Sequence, residues 1–379
     1  MSTSSGSGHP PSLSTILACA LLLAGCGQSD TGKAPPPVDD KVVNLYMWAD
    51  ELAPDTLPSF EKRTGIKVNV AFFDSPEMLE SHMLAGNSGY DVAMPDDAFI
   101  QRHIRSGTYA VLDKAKLPNL KHLDPELLSR VAINDPGNAH SVIYFWGTMG
   151  IGYNKALVSK RLPGVSLDSW KLLFDPAFAG KLKDCGISLV DDPLAVVRMV
   201  LISMGRSPNN PQPQDLADAE GIMSRMRPFI RNIDTSGQIQ ALANGDLCAT
   251  MAYNGNVVQA RNRAKDAGNG IVVDYLIPKE GSLIWFDLLA IPKDAKHVDN
   301  AYRLIDYLME PAVIANISNS VGFANANREA VPLLDPATAT DPAVYPPPDT
   351  QRRLHVQTEL SSEQVRVITR MWQKFKTGQ

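Results

Sequence analysis

A basic surplus is missing from this sequence. Its 36 Lys and Arg stand against 41 Asp and Glu over 379 residues, a formal net charge of −5. Nucleic-acid binders usually present a concentrated basic surface. The short groups Arg261-Asn262-Arg263-Ala264-Lys265 and Arg352-Arg353 read better as solvated helix faces, so no nucleic-acid partner is expected. Histidine is sparse, with seven residues scattered along the chain. No Cys/His cluster has metal-ligand spacing, and H-E-x-x-H, G-x-S-x-G and Walker-type loops are absent. Metal, cofactor and catalytic residue are therefore all expected to be none. Internal repeats are lacking, and after the N-terminal segment no apolar run reaches the roughly 20 residues that span a bilayer. Cysteine is limited to Cys19, Cys26, Cys185 and Cys248.

What is present begins with an export signal. Leu13 to Gly25 is an apolar stretch too short for a stable membrane span. It ends in Leu23-Ala24-Gly25-Cys26, which resembles the lipobox of bacterial lipoproteins. That resemblance implies cleavage after residue 25 and a lipid anchor on Cys26. The segment before Leu13 has no Lys or Arg, a departure that keeps an ordinary cleaved signal as the alternative. Gly27 rather than Asp follows the cysteine, so the usual inner-membrane retention signal is missing. Residues 26–40, with Pro35-Pro36-Pro37, read as a semi-rigid tether. Either form of signal places the protein in the periplasm. Cys185 and Cys248 then remain as an even pair, and an oxidising compartment favours a structural disulfide between them.

The folded part opens on Val42 to Glu51, a mostly apolar run closed by an aromatic and two carboxylates. Pro54 to Gly65 reads as a helix, and Ile66 to Phe72 alternates as a strand, giving a β-α-β unit with parallel strands. Ligands gather at the carboxyl ends of such strands, where Trp48, Asp50 and Glu51 stand. The alternation continues: a helix over 76–86 with Met78, Leu79, Met83 and Leu84 on one face, a strand over 90–95, and a helix capped by Asp96 and Asp97. Val142 to Asn154 reads as a buried strand pair with glycine breaks and as the first crossing between two lobes. Further helices are expected over 170–174, 193–204, 238–245, 256–267, 297–309 and 362–376, and strands over 186–190, 247–253, 271–277 and 283–291. In the last strand Asp287 interrupts an apolar run. An unpaired buried carboxylate is costly, so it has a partner or opens into a cleft. The fold class is α/β.

Several blocks carry a family resemblance: Pro54 to Val68, Thr148 to Asn154, Leu242-Ala243-Asn244-Gly245-Asp246, Ile277 to Gly281, Ala324-Asn325-Ala326-Asn327 and Tyr345-Pro346-Pro347. Together they resemble the periplasmic polyamine-binding proteins of ABC importers, the putrescine-binding members most, over nearly the whole chain from about Lys41. The resemblance implies a type II periplasmic-binding-protein fold of two lobes joined by crossing strands. Lobe 1 would hold 41–145 and 271–312, and lobe 2 would hold 146–270 and 313–379. It also implies a disulfide at Cys185 and Cys248, a monomer, and an ABC permease as partner.

An alkyl diamine needs aromatic faces along its methylenes and carboxylates at its ammonium ends. The resemblance assigns the rings to Trp48, Tyr253, Trp285 and Phe323, with Phe99 at the edge, and the carboxylates to Asp50 and Asp287. For Trp48 and Trp285 a plain core role is the alternative. The departures bear on the ligand. The putrescine-binding members have serine at Ala49, tyrosine at Glu51, serine at Asp96 and at Ala98, glutamate at Ala195 and aspartate at Asn256. The first lobe thus keeps or gains negative charge, and the second loses both its anchors unless Asp191 or Asp192 replaces them. Losing two charge-assisted bonds weakens a diamine on the order of a hundredfold. The expected function is capture of a polyamine or related organic cation for import. A lipid-anchored sensor of the same ligand, or a binder of an altered ligand, stays open as an alternative.

Overall fold

A computed structural model describes residues 41–49 and 51–378. The signal, the tether, Cys26 and Asp50 lie outside the described residues. The strands are β1 Val42–Trp48, β2 Lys67–Phe73, β3 Val92–Ala93, β4 Ser141–Asn154, β5 Ile187–Leu189, β6 Ile230–Ile233, β7 Ala249–Tyr253, β8 Val273–Leu276, β9 Ser282–Ala290, β10 Ala324–Asn325 and β11 Leu354–Val356. They form one connected sheet with the main order β2-β1-β3-β9-β4-β7-β5-β6. β1 pairs parallel with β2 and β3, and β5 pairs parallel with β6 and β7. Antiparallel pairings of β4 with β9, β7 and β8 join the two parallel ends.

β4 is one strand of 14 residues, not the strand pair expected from its glycines, and it is buried throughout. Its register against β9 shifts between Ile143 and Phe145. From Met149 onward it pairs with β7, and from Ile151 also with β8. The glycines do not break the strand; they admit neighbours. At Gly147 a Cβ would collide with the Trp285 indole and the Asn254 side chain.

Two hydrophobic cores flank this strand. One is built from residues such as Leu45, Met47, Phe60, Ile100, Phe145, Phe286 and Leu304. The other gathers Met149, Trp170, Val197, Leu201, Met223, Met251 and Trp372. The C-terminal helix Ser362–Thr377 buries Ile368, Met371, Trp372 and Phe375, and a Ser361–Gln364 capping box fixes its start. The Cys185–Cys248 disulfide closes the second core at a Cα–Cα distance of 5.4 Å.

Local signals explain most boundaries. Gly65 ends helix Thr56–Thr64 in the left-handed conformation, with φ 71°, a cost-free geometry for glycine. Ser75 caps helix Pro76–Leu84, where Leu79 and Met83 face inward but Met78 and Leu84 are exposed, so the apolar face is narrower than expected. Helices Pro213–Met226 and Pro311–Val321 fall where no helix was anticipated.

Candidate functional site

Each parallel portion of the sheet delivers acidic and aromatic groups at its strand ends. Trp48 closes β1, with its ring 4.4 Å from that of Phe73, and its side chain favours the charged form of the Asp287 carboxyl. Ala49 follows and is exposed. Glu51 is buried, and its Oε2 has no partner among the described residues. The Tyr144 hydroxyl pins the backbone there by donating to the Glu51 carbonyl at 2.8 Å. Just beyond β3, Asp96 forms a bridge with Asp287 on β9, and the Leu288 N–H donates to the Pro95 carbonyl at 2.9 Å. That pairing brings the loop carboxylates to the carboxylate that interrupts β9.

Asp96 is half-buried and caps helix Asp97–Arg105, accepting from the N–H groups of Ala98 at 2.9 Å and Phe99 at 3.1 Å. Burial pushes its carboxyl up to about 7 against the pull of those bonds, and Asp192 and Glu77 add repulsion. Asp97 is fully buried; its Oδ1 accepts from the Phe286 N–H at 3.0 Å and its Oδ2 is unpaired among the described residues. Burial, then the neighbouring Asp96 charge, holds it well above the usual carboxylate range. Asp287 is raised by burial and by Asp96, and Glu51 by burial and by Asp287. Carboxylates packed this way repel one another and favour either protons or a cationic partner.

The second core supplies the facing groups. Tyr253 ends β7, half-buried, and donates from its hydroxyl to Asp192 Oδ2 at 3.2 Å. Asp192 also caps helix Pro193–Ser203 through the Ala195 N–H at 2.9 Å. Asp191 points elsewhere, to the Trp372 indole at 3.0 Å and Lys376 Nζ at 2.7 Å. Of the two candidates for a replacement carboxylate, Asp192 is the one that reaches the acidic group. Ala195 is buried, and half-buried Asn256 donates to the Thr235 carbonyl at 3.5 Å.

Aromatic rings join the halves. Trp285 lies edge-on to Tyr253 at 6.3 Å and to Phe323 at 5.5 Å. Its Nε1 is buried and has no partner among the described residues. β4 and β9 pair Gly147 opposite Trp285, so the indole rests where a side chain would stand. Phe323 is seated in the same way on Gly255, where any Cβ would overlap the ring. At Phe99, in the first turn of its helix, the Arg102 guanidinium covers the ring at 4.8 Å.

Two members of the cluster escaped the sequence. Asp97 read only as a helix cap. Arg198, 2% exposed, feels the charges of Asp192, Asp97 and Asp96. A signal existed, since Arg198 is the lone charge in the apolar run Ala195 to Ile202, the same cue that exposed Asp287.

A curled α/β sheet with two cores, and acids and rings gathered between its parallel ends, has the form of a type II periplasmic binding protein. The profile for bacterial extracellular solute-binding proteins matches residues 57–346, and the chain belongs to that family. It is 42% identical to the putrescine-binding periplasmic protein SpuD of Pseudomonas aeruginosa, covering 95% of this chain and 97% of that one. It is equally 42% identical to the putrescine-binding periplasmic protein PotF of Escherichia coli, covering 97% and 98%. Among solved structures, the spermidine/putrescine ABC transporter substrate-binding protein PotD of Streptococcus pneumoniae superposes with a TM-score of 0.78 at 27% identity, covering 89% of this chain and 99% of that one.

Proposed function

We propose that this chain captures a polyamine or related small organic cation and hands it to an ABC import permease. The observation that carries the reading is the cluster itself: Glu51, Asp96, Asp97, Asp192 and Asp287 are drawn together beside Trp48, Tyr253, Trp285 and Phe323. Rings of this kind attract ammonium groups and cover methylenes. Buried carboxylates attract the same charge more strongly than they would in water. The names of the relatives point to the same ligand class.

The site works by binding, not turnover. Lobe 1 (41–145 with 271–312) supplies Glu51, Asp96 and Asp287, and lobe 2 (146–270 with 313–379) supplies Asp192, Tyr253 and Asn256. Asp192 takes over the second-lobe charge that Ala195 and Asn256 no longer provide. Asp50, outside the described residues, adds to the first wall. The protein acts as a monomer in the periplasm, held to a membrane by lipid on Cys26. Calorimetric titration with putrescine, spermidine, agmatine and cadaverine tests the reading. At least one is expected to bind in the micromolar range or tighter, on the order of −8 kcal/mol; heat from none of them contradicts it.

A further inference from the structure

The helix Pro193–Ser203 holds one charged side chain amid Val196, Val197, Met199, Val200, Leu201 and Ile202, all buried. Arg198 Nη1 donates to Gln357 Oε1 at 2.6 Å and Nη2 to the Thr358 carbonyl at 2.6 Å. Both acceptors are neutral, and Nε has no partner among the described residues. A guanidinium does not give up its proton, and a buried charge requires opposite charge nearby. The carboxylates that act on it are Asp192, at the start of its own helix, and Asp97 and Asp96, which open helix Asp97–Arg105. Hydrogen bonds fix the arrangement. Asn134 Nδ2 donates both to the Asp97 carbonyl at 2.9 Å and to the Gln357 carbonyl at 2.7 Å, so the residue that holds Arg198 is tied to the acidic loop.

We propose that Arg198 is a specificity-determining residue, a built-in counter-cation that sets how much positive charge a ligand brings to the acidic site. This rests on the cation-binding reading and deepens it. Arg198 offsets about one of the negative charges that a ligand ammonium would otherwise meet. It therefore penalises each additional ligand charge and holds the site to ligands of low charge. Removing it leaves the carboxylates in place and raises the advantage of a triamine over a diamine. With an effective permittivity of about 20 inside the site, a unit charge on the order of ten ångström away is worth roughly tenfold in affinity per ligand charge.

The experiment compares the spermidine-to-putrescine affinity ratio in the wild-type protein and in Arg198→Gln, Arg198→Met and Arg198→Lys. Arg198→Met keeps the side-chain bulk and serves if the amide variant does not fold. The ratio is expected to shift toward spermidine by about tenfold in the Gln and Met variants, and to stay near wild type in Lys. A structural role alone weakens both ligands together and leaves the ratio unchanged; that result overturns the proposal, as does a Lys variant that shifts like Gln. Potentiometric titration of the unliganded proteins between pH 5 and 8 gives a readout that needs no ligand. Loss of the guanidinium raises the carboxyls around it, so the Arg198→Gln titration curve is expected to move to higher pH, and a curve that does not move overturns the counter-cation role. If the wild type binds neither amine, the ligand reading fails, and the titration still decides the charge role of Arg198.

Discussion

The two walls of the candidate site are built differently. On the wall from β1, β3 and β9, Glu51, Asp97 and Asp287 are buried and Asp96 half-buried, and their carboxyls are raised by burial first and by neighbouring carboxylates second, for Asp96 by Asp192 and Glu77. On the opposite wall Asp192 shares its charge with the Tyr253 hydroxyl, a helix N-terminus and the nearby Arg198. The first wall has surplus negative charge and the second is nearly balanced within itself. On the proposed cation-binding reading, the contrast assigns affinity for an ammonium group mainly to one side and the choice of cation to the other.

Removing charge from the surplus wall is the sharpest way to break this contrast. Asp287→Asn is expected to weaken a bound polyamine by about tenfold to a hundredfold, the loss of one buried charge-assisted bond, as read by calorimetry. Because the same change relieves repulsion with Glu51 and Asp96, the unliganded variant is also expected to melt at a higher temperature than wild type. A variant that loses affinity only because it unfolds would show a lower one.

Next in size come the glycines that seat the rings. Gly255→Ala forces Phe323 off its place and Gly147→Ala displaces Trp285. Overpacking of this kind costs about 1–3 kcal/mol, measurable by urea unfolding. Gly147→Ala is further expected to change tryptophan fluorescence.

The effect of pH separates the walls without mutation. Asp96, raised to about 7, binds its proton more tightly folded than unfolded. Between about pH 4 and 7 the folded protein thus carries the extra proton, and unliganded stability falls as pH rises through that window, by up to about 1.4 kcal/mol per unit. Glu51, Asp97 and Asp287, raised in the same direction, act with it; Glu77 and Asp192 add repulsion, and Arg198 opposes them. Affinity for a cation runs the other way and weakens below pH 7, because protons and ligand compete. Melting curves at pH 5 and 8, with and without spermidine, should show the two trends cross. The smallest change is expected from Asn256→Asp, which returns a carboxylate to half-buried ground on the balanced wall and raises diamine affinity by a few-fold.

Much of this was legible from residue order. Pro and Gly punctuation with strand-helix alternation gave the parallel units, and Trp48 and Glu51 stood at a strand end and Asp287 broke an apolar run, whereas Tyr253 came from the family resemblance and Asp96 read as a helix cap. Other features depend on pairing that no local pattern encodes. β4 reads as two strands because its glycines look like breaks, whereas neighbours such as Trp285 on β9 and Val257 on helix Asn254–Asp266 require them. Asp191 and Asp192 are adjacent and chemically alike; only the placement of helix Ser362–Thr377 turns the first to Trp372 and leaves the second for Tyr253. Phe99 kept its position in the chain, but Arg102 from the next turn covers its face.

The most direct test of a cation site made from repelling carboxylates is the number of protons released when a cation enters. Spermidine titrated calorimetrically at pH 7, in two buffers of different ionisation enthalpy, measures it. Displacement of on the order of one proton per ligand is predicted, since Asp96, raised to about 7, and the carboxyls shifted upward beside it must ionise to pair with an ammonium. Binding heats that are identical in the two buffers, or no binding at all, would contradict it.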